Sequence, residues 1–486
     1  MNRSPDTIIK YIMNALSGLK VPFADARYVM TDEEDLYFEK GVLKTYASIA
    51  EQSSIGVRVF ADGCWGFAGT NDFTDSSLDK TVKRAYDNAR HGALFIPEGG
   101  KSVFAPLKPI VAKHTQKIKV DPFTMTRDEK IEKLQSIAKK LEGHHGIVFN
   151  FFLAMMHREY KIYANTEGTR YESTRYQTMP MMEVIASDGK GIQTRTYPGH
   201  FSARAGGFET VEAFRFEENI PGIVKEATDI LSAPRIEEER ADLIIGGGHL
   251  ALQLHESVGH ATEADRIFGM EISYAGKTFV KPEMLGNFRY GSDHVNIVSD
   301  STIEEGIGFH LVDDEGVPGR RTDIVKNGIL VGMQNSREVA SMMGTEPSSN
   351  MKASHGDNIP LVRMTNFSLL PGKAGTLNDL IKSTERGYLL DFTKTWSIDD
   401  NRYNFQFTTE IGWKIVDGEI KGIVKEPTYY GITPEFWNSC DAVCSESEWG
   451  IHGTFHCGKG EPGQVMKLSH GVAPARFRNV AVNVKA

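Results

Sequence analysis

Two imidazoles flank a carboxylate in His255-Glu256-Ser257-Val258-Gly259-His260, within an apolar, helix-favouring run that follows three glycines at 246–248. These residue types suit metal-assisted hydrolysis. In a zinc hydrolase helix two His hold the metal and the Glu handles a proton of the attacking water. The spacing, however, is unusual. The familiar zinc-peptidase pattern sets its His at i and i+4, about 40° apart around a helix. Here they stand at i and i+5, roughly 140° apart on an ideal helix and too far around for one metal. A local distortion, a π-bulge or an early helix end, must close that angle. Gly259 is expected to permit it, because a helical Gly costs about 1 kcal/mol relative to Ala and so marks a requirement on the backbone. The plainer alternative is two buried, hydrogen-bonded histidines on an ordinary core helix. Leu250, Leu252 and Leu254 favour the metal reading, since they would carry the polar triplet inward, where charge needs a partner.

A zinc ion that keeps one position open needs a third protein ligand. The residues themselves nominate His456, Cys457, Glu263 and Asp265. Two further stretches could contribute. Val312–Pro318 places Asp313, Asp314 and Glu315 on a Gly/Pro turn, a pattern read in the first place as an acidic surface loop. Arg363-Met364-Thr365-Asn366 follows Pro360 in a predicted strand, where buried Thr and Asn need partners or a ligand. A peptide substrate would lie extended beside a strand edge and gain affinity from main-chain hydrogen bonds. Arg363, Thr365 and Asn366, with Asp314 from the acidic loop, are the residues expected to contact it.

The elements that must position these groups differ between the halves of the chain. Asp6 predicts an N-cap for a helix through Leu16, with Ile8, Ile9, Ile12, Met13 and Leu16 on one face. Ala24–Met30, Leu36–Lys40 and Ser53–Phe60 read as strands, and Asp62-Gly63 as a hairpin turn. Helices are expected from Asp75, from the capping box Thr126–Glu129, and from Thr210 to Leu231. Residues 106–122 read as a connection. The charge run Ile236–Arg240 predicts a domain boundary, giving an N-terminal α/β domain at 1–235, with possible subdomains 1–105 and 120–235, and a β-rich domain at 236–486. In that second part Val295–Ser299, Ile324–Val331, Gly387–Thr395, Phe405–Ile411 and Trp413–Ile423 read as strands, with Asn327-Gly328 and Asp417-Gly418 as hairpin turns. The fold class is therefore α+β: a mixed N-terminal layer, then a mainly antiparallel barrel or sandwich carrying the metal helix.

Composition excludes several functions. A chain of 486 residues with 40% hydrophobic and 24% charged residues is an ordinary globular one. Net charge −9 argues against nucleic acid as an obligate partner. The longest apolar runs are far short of a membrane span, and the N-terminus has no signal-peptide character, so a cytoplasmic location is expected. Four cysteines are too few for a disulfide scaffold at this length.

On the His-Glu-x-x-x-His helix, the Asp313–Pro318 loop, the Arg363–Asn366 segment, the late Cys457-Gly458-Lys459 and their order, the chain resembles the TldD/PmbA family of cytoplasmic metallopeptidases, on its TldD side. The resemblance implies zinc held by His255, His260 and Cys457, with Glu256 as general base. It also implies a dimer enclosing the site, either a homodimer or a heterodimer with a PmbA-like paralogue that lacks the metal motif. The implied substrates are unstructured peptides. The stretch Trp396–Trp449 departs from the family pattern in being longer, more aromatic and more acidic, with Cys440 and Cys444 added. The competing reading is a non-catalytic subunit or peptide-binding module whose histidines are structural.

Overall fold

The computed structural model describes residues 3–97, 100, 102–273 and 276–483. Its first helix, Pro5–Ser17, is capped by Ser4, whose hydroxyl accepts from Thr7 N, so the cap lies two residues before Asp6. Ile8, Ile9, Ile12 and Leu16 form the buried face. The short strands expected between 24 and 60 are two long ones, Phe23–Glu39 and Val42–Ala61. The acidic stretch Asp32–Asp35 does not break the first, because it is paired on both sides and two of its carboxylates are closely matched. Asp32 accepts from Arg158 Nε at 2.8 Å, and Glu34 pairs with Lys130. These strands belong to an eight-stranded sheet that also contains Ile147–Asn165 and Arg170–Ser187. The connection at 106–122 supplies a strand of its own, Val111–Thr115, parallel to Arg170–Ser187. The helix expected from Thr210 to Leu231 is broken at Arg215, which takes a left-handed φ of 50° between Glu209–Ala213 and Phe216–Ser232.

Beyond Ile236 five strands close a ring: Arg386–Ile398, Glu239–Ile245, Ala475–Val482, Thr428–Ile432 and Asn404–Val416, the last pairing back to the first. All pairs are antiparallel except Arg386–Ile398 with Glu239–Ile245. The α+β class with a β-barrel thus stands as read. No strand break occurs at Gly412; the strand runs on to Val416, and Asp417 and Gly418, both at positive φ, turn it into Glu419–Lys425. Cys440 and Cys444 lie on and just after the short strand Cys440–Val443, not on a helix, and both are buried. A two-stranded hairpin, Gly450–Lys459 with Gln464–Val472, stands beside the barrel. No helix among the described residues is long and apolar enough to cross a membrane.

Candidate metal centre

The strand Glu239–Ile245, buried throughout its last three residues, runs directly into the helix Gly247–Leu254. Asp391 Oδ1 caps that helix by accepting from His249 N at 3.1 Å. Leu250, Leu252 and Leu254 are buried, as the apolar run required. At His255 the helix widens to a π-turn through Gly259, and the N–H of His260 donates to the carbonyl of His255, five residues back. That one bond brings the two imidazoles within a single turn, with ring centroids 4.7 Å apart and planes perpendicular. Carbonyls displaced from the α-helical ladder find side-chain donors: Tyr290 Oη at Ser257, Thr262 Oγ1 at Val258 and Gln334 Nε2 at Gly259.

Gly259 serves this turn by its size. Its φ and ψ of −56° and −62° are open to any residue, but a Cβ there would sit 2.2 Å from Met364 Sδ, itself fully buried. The expectation of special backbone freedom is replaced by one of space. Gly259→Ala is therefore expected to lose about 1–3 kcal/mol by overpacking and to bind zinc more weakly. Denaturant unfolding checks this, and a gain of about 1 kcal/mol, the usual return for Gly→Ala in a helix, would mean that Met364 gives way freely.

Cys457 comes to the same point from the hairpin strand Gly450–Lys459. Its Sγ lies 3.4 Å from His255 Nε2 and 3.5 Å from His260 Nε2, and the three ligand atoms all fall within 4.8 Å of one another. Tetrahedral zinc with ordinary Zn–N and Zn–S bonds places such atoms about 3.6 Å apart. The donor set therefore fits that ion. Strand alternation turns the neighbouring His456 outward to solvent.

Both imidazoles are held by their far nitrogens. His470 Nδ1 lies 2.8 Å from the carbonyl of Phe367, which can only accept, so His470 carries its proton there. Its Nε2 then accepts from His255 Nδ1 at 2.8 Å, which leaves the His255 Nε2 lone pair facing Cys457. His260 Nδ1 likewise donates to Glu263 Oε2 at 3.1 Å. Burial lowers the pKa of His255 to about 4 and lowers that of His260 as well, so both rings are neutral donors at pH 7. Glu263 suffers the opposite push from burial, but Lys459, His260 and Arg266 outweigh it and hold its carboxyl well below the usual range. Burial also raises the Cys457 thiol, yet the guanidinium of Arg363, 2.9 Å from Sγ, and the His260 ring bring it below its ordinary value. Glu263 and Asp265 lie outside the converging group of His255, His260 and Cys457 and are engaged elsewhere. Glu263 orients His260, and Asp265 Oδ1 accepts from Lys459 Nζ at 2.7 Å.

Glu256 projects beside the cluster and accepts from Arg402 at 2.6 Å through Oε2. Arg402 comes from the turn between Arg386–Ile398 and Asn404–Val416, inside the stretch that departs from the family pattern. Of the residues expected to contact substrate, Arg363 is fully buried against Cys457, donating to its carbonyl at 2.6 Å. Thr365 and Asn366 are equally buried. Thr365 shares a hydrogen bond with Ser299, and Asn366 binds Gly308 N and the Ile303 carbonyl. Asp314 is not among the residues that converge with His255, His260 and Cys457. The acidic loop is no surface feature: Asp313, Asp314 and Glu315 are buried and tie the two halves together, through Lys161 at Asp314 and Arg58 at Glu315. Sequence reasoning missed His470 and Arg402. His470 was within reach, since Glu461-Pro462-Gly463 is a turn signal and a hairpin there sets Met466 opposite Cys457, with His470 on the same face.

Three family models cover most of the chain. The model described as PmbA/TldA metallopeptidase C-terminal domain matches residues 238–483, more than half of the sequence. Those described as domain 1 and central domain match residues 24–89 and 120–233. The chain belongs to the PmbA/TldD family. Among its family relatives is a protein named metalloprotease from Methanothermobacter thermautotrophicus, 30% identical over 95% of this chain and 96% of its own. Another is a zinc metalloprotease TldD homolog from Saccharolobus solfataricus, 25% identical over 98% of this chain and 99% of its own. The crystal structure of TldE from Thermococcus kodakarensis shares the fold, with a TM-score of 0.68 at 16% identity over 98% of this chain and 100% of that one.

Proposed function

We propose that this family member is a zinc-dependent peptidase acting on unstructured peptides. The observation that carries the reading is the convergence of His255 Nε2, His260 Nε2 and Cys457 Sγ, with both rings turned by their hydrogen-bond partners to offer lone pairs to one point. The relatives named metalloprotease and zinc metalloprotease support the same class. His255, His260 and Cys457 would hold the ion. Bound there, zinc would supply Lewis acidity, polarising the scissile carbonyl and lowering the pKa of a water towards neutrality from 15.7 in bulk.

The rest of the chemistry falls to the chain. Glu256 takes the proton of the attacking water on its carboxylate and delivers it to the leaving amine. Arg402 holds that carboxylate in place, and Arg363 biases the Cys457 thiol towards its anionic form. An extended peptide would bind by main-chain hydrogen bonds to a strand edge, with little sequence preference. The test is peptide digestion by the purified protein, with and without a chelator. Loss of cleavage on chelation is expected, and cleavage untouched by metal removal would contradict the reading.

We further propose a cytoplasmic homodimer, or a heterodimer where a PmbA-like paralogue is co-expressed; a reducing compartment would keep Cys457 a free thiol. Light scattering on the chain alone should give twice its 54.0 kDa, and a monomer at micromolar concentration would count against the homodimer.

A further inference from the structure

A second polar site lies between the halves of the chain. His157, Glu159 and Lys161 alternate along Ile147–Asn165, and the strand register sets Gln177 opposite His157 and Arg175 opposite Glu159. Alternation puts all five on one face of the sheet. Facing them across a cavity of about 40 Å³ are Asp314, His310, Lys352 and Lys467. By the measure in which one water needs 10–15 Å³, that space holds about three non-hydrogen atoms.

The charges around this cavity do not pair off. Asp314 is taken up by Lys161 Nζ at 3.0 Å and Ala353 N at 2.9 Å. Asp313 accepts three backbone N–H groups, from Glu315, Val317 and Met351. Lys467 faces Glu33 at 3.5 Å. Glu159 lies 3.8 Å from Lys161, and one of its oxygens is buried without a hydrogen-bond partner. Arg175 and Lys352 are 6% and 9% exposed, and among the described residues neither has a carboxylate within 4.0 Å. Their hydrogen bonds go to carbonyls, Arg175 to Ile307 and Lys352 to Lys467. Glu159 bears electrostatically on both cations and Asp314 on Lys352, but neither carboxylate is in ion-pair contact with them, so burying the two remains costly and favours an anion from outside. Burial, with repulsion from Arg175 and Lys161, already pushes the Lys352 amine down to about 7, a strain that a bound anion would relieve.

An outer cleft of about 240 Å³ shares His157, Ser354, Val465 and Lys467 with this cavity and reaches Phe455 and His456. None of the residues lining the cleft or the inner cavity is His255, His260 or Cys457. We propose that the inner cavity binds one carboxylate group, clamped between Arg175 and Lys352 and admitted through this cleft. A guanidinium fork matches the two oxygens of a planar carboxylate, and three atoms fill the space. The group could be the C-terminus of a peptide or belong to a small free acid.

Isothermal titration at pH 7, with chloride holding ionic strength constant, tests this with sodium acetate, trialanine and trialanine amide. Saturable binding of acetate, or of trialanine but not its amide, is expected. Acetate binding marks a small acid as sufficient, whereas binding by trialanine alone marks a peptide end. Lys352→Met should weaken binding at least tenfold and Lys352→Arg should retain it, a comparison that stands even if Lys352→Met folds poorly. Binding should persist in chelated protein and in Cys457→Ser, which separates this site from the metal centre. No saturable binding beyond the chloride control, equal binding of the amide, or binding unchanged in Lys352→Met would leave the cavity to water and overturn the assignment.

Discussion

Glu256→Gln is expected to keep zinc and fold while cutting peptide turnover by roughly 10² or more, the scale of a lost general base. The substitution is nearly isosteric, and the amide oxygen can still accept from Arg402, so the turn at 399–402 stays docked on the site. Nor does the change touch the donor set: His255, His260 and Cys457 converge without Glu256. What disappears is the carboxylate that accepts a proton. Turnover and zinc content measured on the same preparation make the comparison clean. Near-normal turnover with metal retained would remove Glu256 from the mechanism.

Cys457→Ser is expected to lose tightly bound zinc. A serine hydroxyl stays protonated at neutral pH, whereas the Cys457 thiol is already biased towards thiolate by Arg363 and His260. Asp265→Ala should retain the ion. Glu263→Ala should weaken it by roughly 10–100-fold without abolishing it, because Glu263 orients His260 from behind and does not face the site. Thiol labelling gives a second readout, with Cys457 becoming reactive only after zinc is stripped from folded protein. Full zinc occupancy in Cys457→Ser would end the assignment.

Much of the site was legible because its parts are local. The i/i+5 spacing demanded a distorted helix, and the π-turn at His255–Gly259 supplies it. The reason for Gly259 was not legible, since the clash that excludes a Cβ comes from Met364, more than 100 residues away. Long-range pairing explains the other differences. Phe23–Glu39 continues through four acidic residues because strands pair on both sides and cations from three other elements, Arg158, Lys130 and Lys467, face Asp32, Glu34 and Glu33. The Asp313–Glu315 loop reads as solvated by composition, yet its cations, Arg27, Arg58 and Lys161, lie on the N-terminal sheet. Arg402 offered no local signal at all, for its meaning depends on a hairpin turn folding over the metal helix. Helix periodicity and turn chemistry gave the α+β class, but ring closure by one parallel pair required strands from both ends of the C-terminal half.

Peptide hydrolysis tests the central claim most directly: the purified chain is incubated with unstructured peptides as isolated, after chelation and after zinc is restored, with products read by mass spectrometry. Cleavage should be present in the first, lost in the second, regained in the third and slowed by roughly 10² or more in Glu256→Gln. Cleavage that survives both chelation and Glu256→Gln, or a zinc-loaded chain that cuts no unstructured peptide, would contradict a metal-dependent peptidase.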